Sequence, residues 1–378
     1  MDFSLTAEQA QLVDAATHMA NREFAPRAFQ RTGFAWDSLK KLAEHGFTGL
    51  TLSTEDGGQG ATLLDAVLVM MAVTKVCPHS ADALQASNFG AIRQVAKFGS
   101  ERVKKEVLPL LLSGEALVTA GMSEPEAGSA LTDLRTTAHY DGENVVINGQ
   151  KSWNSHGPHA THSVVWCRFG PTHNDIGAVL VPLDAPGASK GKTETYMSGE
   201  EHCQLFFDDC VVPKEYVLAD SGALGKMLSI FGVERMGNAS RALALAESAY
   251  DRAVEHAKTR TQFGRTLSEF QGLQWKFADM RVQLDAAKML LFRAVSNADA
   301  GAPDANEAAI AKLFANQTAF NVANEALQIF GASGYSTEFP LEYIVRRTRG
   351  WMIAGGSVEI LKNTIAQGIF GRRFSQRA

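Results

Sequence analysis

A chain of 378 residues, 45% hydrophobic and 20% charged, has the composition of a globular protein with core enough for two or three domains. Its formal charge of −5, with acidic and basic residues interspersed, argues against a nucleic-acid partner and against an anionic-membrane surface. The four cysteines, Cys77, Cys167, Cys203 and Cys210, show no CxxC pair and no disulfide-like framework, so a reducing cytoplasmic setting is expected.

The start, Met1-Asp2-Phe3-Ser4, lacks a basic region and an apolar region, so no secretory signal is expected. No apolar run approaches the roughly 20 residues of a membrane span. Residues 1–116 read as helical. Thr6-Ala7-Glu8-Gln9 has capping-box spacing, and Val13, Ala16, Ala20 and Phe24 then recur at helical intervals. Asp37 is placed to cap a second helix ending at Gly46. Two more helices are expected over 63–76, apolar nearly all round, and over 101–112.

The pattern changes after Gly114. Short strand-like runs occupy 118–122, 145–148, 164–169, 178–181 and 205–207, separated by turns such as Asp141-Gly142 and Gly170-Pro171. Regular short strands with polar turns predict a small antiparallel barrel or sandwich. Helix returns near Gly222. Leu273, Phe277, Met280, Leu284, Ala287 and Leu291 form a heptad-like stripe on one long helix, closed by Gly301-Ala302-Pro303. Asp304 is expected to cap the next helix, which ends near Gly331, and a final helix follows Gly355-Gly356.

No Walker A sequence is present, and no GxGxxG follows a strand, so no Rossmann site is expected. Gly57-Gly58-Gln59-Gly60 reads as a flexible loop. His156, His159 and His162 have spacing that could converge on a metal only in a helical turn. Gly157-Pro158 favours a loop there, so no metal site is expected.

The ordered motifs resemble the acyl-CoA dehydrogenases, FAD enzymes that oxidise acyl thioesters. The stretch 122–129 is similar to the family's TEPxAGSD turn, with Ala130 replacing its Asp. The resemblance assigns Met122, Ser123, Gly128 and Ser129 to the flavin, and Ser129 also to substrate. Glycine at 128 lets backbone N–H groups approach a ligand closely, and the serine hydroxyls can donate to it. The stretch 149–157 is similar to GxKxWITN. It would put Trp153 over one isoalloxazine face and Ser155 near flavin N5, with Asn154 and His156 departing from the pattern.

Arg260, Gln262, Phe263 and Gly264 resemble RxxFG, with Gln271 following. Arg260 supplies the donor fork that suits pyrophosphate. Gln328 and Gly331 belong to a QxxGGxG-like element in which Ala332 replaces a glycine. In the family these groups reach the FAD of a neighbouring subunit, so the resemblance implies an oligomer, usually a homotetramer.

The chemistry requires a carboxylate to remove the proton α to the thioester. In most members it is the Glu of YEGT, but here that position is Gly355. Members similar to isovaleryl- and long-chain-type enzymes place the Glu at the start of the helix preceding RxxFG. Glu234 holds that position and Arg235 matches its neighbouring arginine. A glutamate in a first helical turn also has a structural role beside the helix dipole. Ser357 and Glu359 match positions that contact FAD, and Arg235, Gly355 and Gly356 fall at substrate-binding positions.

The resemblance implies an α+β fold: an N-terminal helical domain (1–116), a middle antiparallel β-barrel domain (117–221) and a C-terminal four-helix bundle (222–378). It implies FAD-dependent dehydrogenation of an acyl-CoA in fatty-acid or acyl-CoA catabolism, with electrons passing to an electron-transfer flavoprotein. Two alternatives share the fold: a flavin oxidase or monooxygenase, and a non-catalytic or half-site subunit of a heterotetramer.

Overall fold

The computed structural model describes residues 4–298 and 301–375. Helix α1 (Ala7–Met19) opens on the expected capping box. Thr6 Oγ1 accepts from the Gln9 N–H, and Gln9 Oε1 accepts from the Thr6 N–H, both at 3.2 Å. A π-helical turn over Ala20–Phe24 continues it.

In α2 (Trp36–Glu44) the cap position is Ala35, and Asp37 lies inside the first turn, which corrects the expected cap. An acidic group is favourable at either place, so composition alone does not separate them. Helix α3 (Leu63–Val76) is buried on nearly every side, as its apolar sequence predicts. Helices α4 (Pro78–Asn88) and α5 (Ile92–Phe98) carry no comparable stripe and were not foreseen. The helix expected over 101–112 is two, α6 (Glu101–Glu106) and α7 (Leu108–Ser113). Pro109 breaks it, because proline has no N–H and is tolerated only where a helix begins.

Nine strands form one sheet: β1 (Val118–Gly121), β2 (Thr137–Asp141), β3 (Asn144–Ser155), β4 (His162–Arg168), β5 (Ile176–Pro182), β6 (Ala188–Lys190), β7 (Glu194–Thr195), β8 (Glu201–Pro213) and β9 (Val217–Ala219). The order is β6-β8-β3-β2-β4-β5-β9, with β1 on β4 and β7 on β8. Two contacts are parallel: β1 with β4, and β2 with β4 at Thr137↔Arg168. Among the described residues no pairing joins β6 to β9. The strands thus form one mixed sheet, and its pairing does not confirm the expected antiparallel barrel. Strand runs and turns reveal strands; they do not reveal that β1 pairs with a strand beyond an intervening hairpin.

The C-terminal part contains α8 (Leu224–Ser229), α9 (Phe231–Thr259), a hairpin of β10 (Thr261–Gln262) and β11 (Arg265–Thr266), α10 (Gln271–Ser296) and α11 (Ala305–Phe330). Then come α12 (Ala332–Tyr335), α13 (Leu341–Trp351) and α14 (Val358–Phe370). Helix α13 and the short α8 and α12 are additional to the four helices expected. On α10 the stripe buries Met280, Leu284, Ala287 and Leu291, while Leu273 and Phe277 stay half-exposed. The helix ends at Ser296, before the expected Gly301; Asp299 and Ala300 lie outside the described residues. Asp304 caps α11, its Oδ1 accepting from the N–H groups of Asn306 (2.9 Å) and Glu307 (3.0 Å). Helix α11 buries Ala308, Ala311, Ala315, Ala319 and Ala323, small residues that allow α10, α13 and α14 to pack closely on it.

The chain divides into two compact units. One takes the described residues of 1–29, 63–81 and 235–378, and the other takes 30–62 and 82–234. The sheet, with α5 against β9 and α8 against β5, belongs to the second; α1, α3 and the α10–α11 pair belong to the first.

Candidate active site

Within the sheet unit, the two segments expected at the flavin meet. The Ser152 N–H donates to the Ser123 carbonyl at 2.8 Å. Lys151 Nζ reaches the Met122 carbonyl at 3.4 Å and Glu124 Oε1 at 2.6 Å. Along β3 the side chains of Lys151, Ser152 and Asn154 are buried, whereas those of Trp153 and Ser155 are exposed. A bulge causes this. The pairing of β3 with β8 slips between Lys151↔Leu205 and Asn154↔Cys203, and Trp153 takes φ 60°. Bulges re-aim side chains, and this one turns the indole outward, leaving it 62% exposed. Ser129 and Gly128 are exposed too, and nothing within 4 Å would meet a Cβ added at Gly128.

Asn154 explains its own departure from the family pattern. Its buried amide donates to the carbonyls of Lys151 and Cys203, both at 3.1 Å, and so holds both sides of the bulge. Tyr196 was missed by sequence reasoning. Its ring stacks on Trp153 (6.3 Å, 24°) and on His202 (4.1 Å, 25°). Its hydroxyl donates to the Trp153 carbonyl at 3.0 Å and lies 3.4 Å from Ser155 Oγ. Burial pushes its phenol up to about 12, so it stays a neutral donor. A lone tyrosine in a turn carries no sequence signal for this contact.

Glu234 lies in the first turn of α9, with Oε2 withdrawn from solvent. Its backbone carbonyl is 3.5 Å from Gln85 Nε2 on α4, in the same unit. The next residue, Arg235, belongs to the helical unit. Arg235 Nε donates to the Gly355 carbonyl at 3.3 Å, and its guanidinium stands 3.5 Å from where a side chain at Gly356 would begin. Gly355 and Gly356 take φ 68° and 93°, a region that favours glycine.

Buried Lys312 holds this loop, donating to the carbonyls of Trp351 (3.3 Å), Ala354 (2.7 Å) and Gly356 (2.8 Å). Asn316 adds a bond to the Trp351 carbonyl at 2.6 Å. Neither residue was foreseen, since a lysine and an asparagine inside a long helix read as surface residues. Ser357 caps α14, its Oγ accepting from the Ile360 N–H at 3.5 Å. The Glu359 carboxyl is held below the usual carboxylate range by its own backbone N–H and by the Ser357 hydroxyl.

Arg260, Gln262, Phe263, Gln271, Gln328 and Gly331 are all exposed on the helical unit. Phe263 and Gly264 form the turn of the β10–β11 hairpin at φ 53° and 79°. That is the backbone of a two-residue turn with both central residues left-handed. At the base of the hairpin, His256 stacks on Phe330 (4.1 Å, 15°), linking the ends of α9 and α11.

The three histidines do not converge. His159 Nε2 pairs with Glu201 Oε2 at 2.5 Å, and His162 Nδ1 lies 2.9 Å from Thr161 Oγ1. No helix of the described residues is long and apolar enough to cross a membrane.

The chain matches three acyl-CoA dehydrogenase domains in order: the N-terminal domain over residues 6–115, the middle domain over 119–210 and the C-terminal domain over 224–370. It is 35% identical to the 3-sulfinopropanoyl-CoA desulfinase of Paraburkholderia xenovorans, over 99% of this chain and 99% of that protein. Butyryl-CoA dehydrogenase from Megasphaera elsdenii superposes with a TM-score of 0.92 at 30% identity, covering 98% of this chain and 100% of the other. A chain solved with the electron transferring flavoprotein of Acidaminococcus fermentans as its subject superposes with a TM-score of 0.93 at 31% identity, covering 98% and 99%. On these matches, which together span nearly its whole length, the chain belongs to the acyl-CoA dehydrogenase family.

Proposed function

We propose that this protein is an FAD-dependent acyl-CoA dehydrogenase in which Glu234 is the base. The observation that carries the assignment is a carboxylate, partly withdrawn from solvent, in the first turn of α9, in a chain whose other family position for the base, Gly355, has no side chain. Glu234 would take the α-proton of an acyl-CoA thioester onto a carboxylate oxygen. Arg235 holds the Gly355–Gly356 loop through its bond to the Gly355 carbonyl, and the family resemblance makes these three residues substrate-binding positions.

The chain's residues fit the flavin by their chemistry. Trp153 presents an outward aromatic face, Ser123, Ser129 and Ser155 supply hydroxyl donors, and Met122 and Gly128 line the same turn. When bound, FAD supplies the acceptor for the hydride that leaves the β-carbon. Ser357 and Glu359, at the start of α14, are FAD-contact positions by the family resemblance. Arg260, Gln262, Phe263, Gln271, Gln328 and Gly331 would serve the cofactor of a neighbouring copy, which accounts for their exposure and requires an oligomer, a homotetramer by the family resemblance. The three-part division into 1–116, 117–221 and 222–378, an electron-transfer flavoprotein as electron acceptor, and a cytoplasmic setting complete the reading.

The likeness to a 3-sulfinopropanoyl-CoA desulfinase favours a second reading. In it the same thioester site would break the C–S bond of a sulfinate-bearing acyl-CoA, a proton taking the place of sulfur on carbon and SO2 leaving to be hydrated by water to sulfite, with no net oxidation of a CH–CH bond. A panel of acyl-CoA thioesters including 3-sulfinopropanoyl-CoA, followed by flavin bleaching and by sulfite release, separates the two. Bleaching without sulfite supports dehydrogenation; sulfite without net bleaching supports the second reading. Glu234→Gln should retain flavin yet bleach about 10²–10⁴-fold more slowly. Bleaching at the wild-type rate in that variant would overturn the base assignment.

A further inference from the structure

We propose that Asp82, His156 and Glu200 form a site for one divalent metal ion of the Mn²⁺ or Zn²⁺ type. A carboxylate oxygen from each acid and a ring nitrogen of the histidine all lie within 4.8 Å of one another. The three residues come from separate stretches of chain but belong to one compact unit. Asp82 projects from α4 and is only 3% exposed.

The other two donors are brought together by strand pairing. The register Ser155↔His202 lays the turn after β3 beside the turn before β8, and the His156 N–H donates to the Glu201 carbonyl at 2.9 Å. His156 takes φ 58°, and its ring packs edge-on against Phe34 at 5.1 Å. Glu200 is also oriented: its Oε2 accepts from the hydroxyl of Ser198, itself 4% exposed, at 2.9 Å. The site therefore has a fixed imidazole, a buried carboxylate, and a second carboxylate held by a supporting hydroxyl.

Two carboxylates this close repel, and burial strengthens the repulsion. A divalent ion cancels both charges and uses the imidazole as well. Nitrogen and oxygen donors without sulfur suit Mn²⁺ or Zn²⁺ and disfavour soft ions. Ligands about 2.0–2.2 Å from Zn²⁺ leave donors about 3–3.5 Å apart, so small side-chain rotations close the set, and water fills the remaining positions. The ion would tie α4 to the turn that follows Trp153. The histidine spacing in sequence concealed this, because His156 joins acids 74 positions before it and 44 after it rather than His159 and His162.

The test uses the full-length protein with the flavin it carries, stripped by chelator and titrated with Mn²⁺ and with Zn²⁺ by calorimetry and elemental analysis. One equivalent per chain is expected, lost in Asp82→Asn and in Glu200→Gln and retained in His159→Ala. Ser198→Ala should weaken binding about 10–100-fold, as removal of a supporting hydrogen bond to a ligand does. Pulsed EPR of the Mn²⁺-loaded wild type, which needs no variant, should read one imidazole nitrogen. Failure of both ions to bind stoichiometrically overturns the proposal. Binding that survives Asp82→Asn and Glu200→Gln, or bound Mn²⁺ without nitrogen coupling, overturns it too.

Discussion

Lys151 is fully buried, and Glu124 is what makes that possible. Its ammonium sits 2.6 Å from Glu124 Oε1, and the same carboxylate accepts from the backbone N–H groups of Arg135 (2.5 Å) and Thr136 (3.0 Å). Burial pushes the Glu124 carboxyl up, but the Lys151 charge and these bonds together outweigh it and hold it below the usual carboxylate range. A depressed folded-state value contributes stability that is complete above the unfolded value, near 4.5, and is lost as pH falls through the folded value. Glu124→Gln leaves a buried ammonium without its counter-charge, and a loss of about 3–5 kcal/mol is expected from denaturant melts at neutral pH. The variant's stability should also fall less steeply than the wild type's as pH drops below 4.5. Equal acid slopes would show that this pair does not govern acid unfolding. The pair also anchors the turn that carries Ser123, since Lys151 touches the Met122 carbonyl. At this scale a stabilising contact and a candidate cofactor contact share one strand.

The loop between α13 and α14 depends on a single side chain of another helix. Lys312 on α11 satisfies the carbonyls of Trp351, Ala354 and Gly356, where two left-handed glycines leave the backbone few other partners. Lys312→Met keeps the length and apolar stem but removes all three donors, so a destabilisation of about 2–4 kcal/mol is expected in thermal or denaturant unfolding. If the loop receives the thioester, the variant should raise KM for acyl-CoA by a larger factor than it lowers kcat. A change in kcat alone would place the loop's contribution elsewhere.

Such cross-element bonds mark where sequence reading stops. Helices with a clear cap or stripe were legible: Thr6 and Asp304 cap as their residue types require, and 63–76 is buried all round. Helices α4 and α5 were not, because their burial comes from tertiary packing rather than a periodic pattern. The strands within 144–155 and 162–168 were visible from β-branched runs, but the parallel partner of β1 and the bulge at Trp153 are set by distant pairing. The motif stretches 122–129 and 151–155 were legible as separate family-like segments, but the bond from the Ser152 N–H to the Ser123 carbonyl that joins them was not. Asn154 and Tyr196, which support the second stretch, were read as a departure and passed over respectively, and Lys312, which supports the α13–α14 loop, was passed over too.

For the whole molecule, the β10–β11 hairpin is the feature that makes least sense in an isolated chain. Phe263 is 93% exposed and holds φ 53°, a conformation that disfavours a bulky residue. Asparagine tolerates that backbone better, so a chain selected only for its own stability would prefer it at this turn. An aromatic side chain kept in an unfavourable backbone and in full solvent fits a surface that another copy covers, and exposed Arg260 and Gln262 on the same hairpin offer polar groups to a ligand there. Phe263→Asn should therefore leave the unfolding free energy of the separated chain unchanged, or raise it by about 0.5–1 kcal/mol through relief of the turn. The same change should shift sedimentation toward smaller species and lower the flavin retained per chain. Measuring both quantities on one preparation separates the two effects, because a variant that merely misfolds loses stability as well as assembly. A variant that sediments like the wild type and keeps its full flavin would show that the hairpin faces solvent in the working enzyme, and that Arg260 and Gln262 do not reach across to a neighbour.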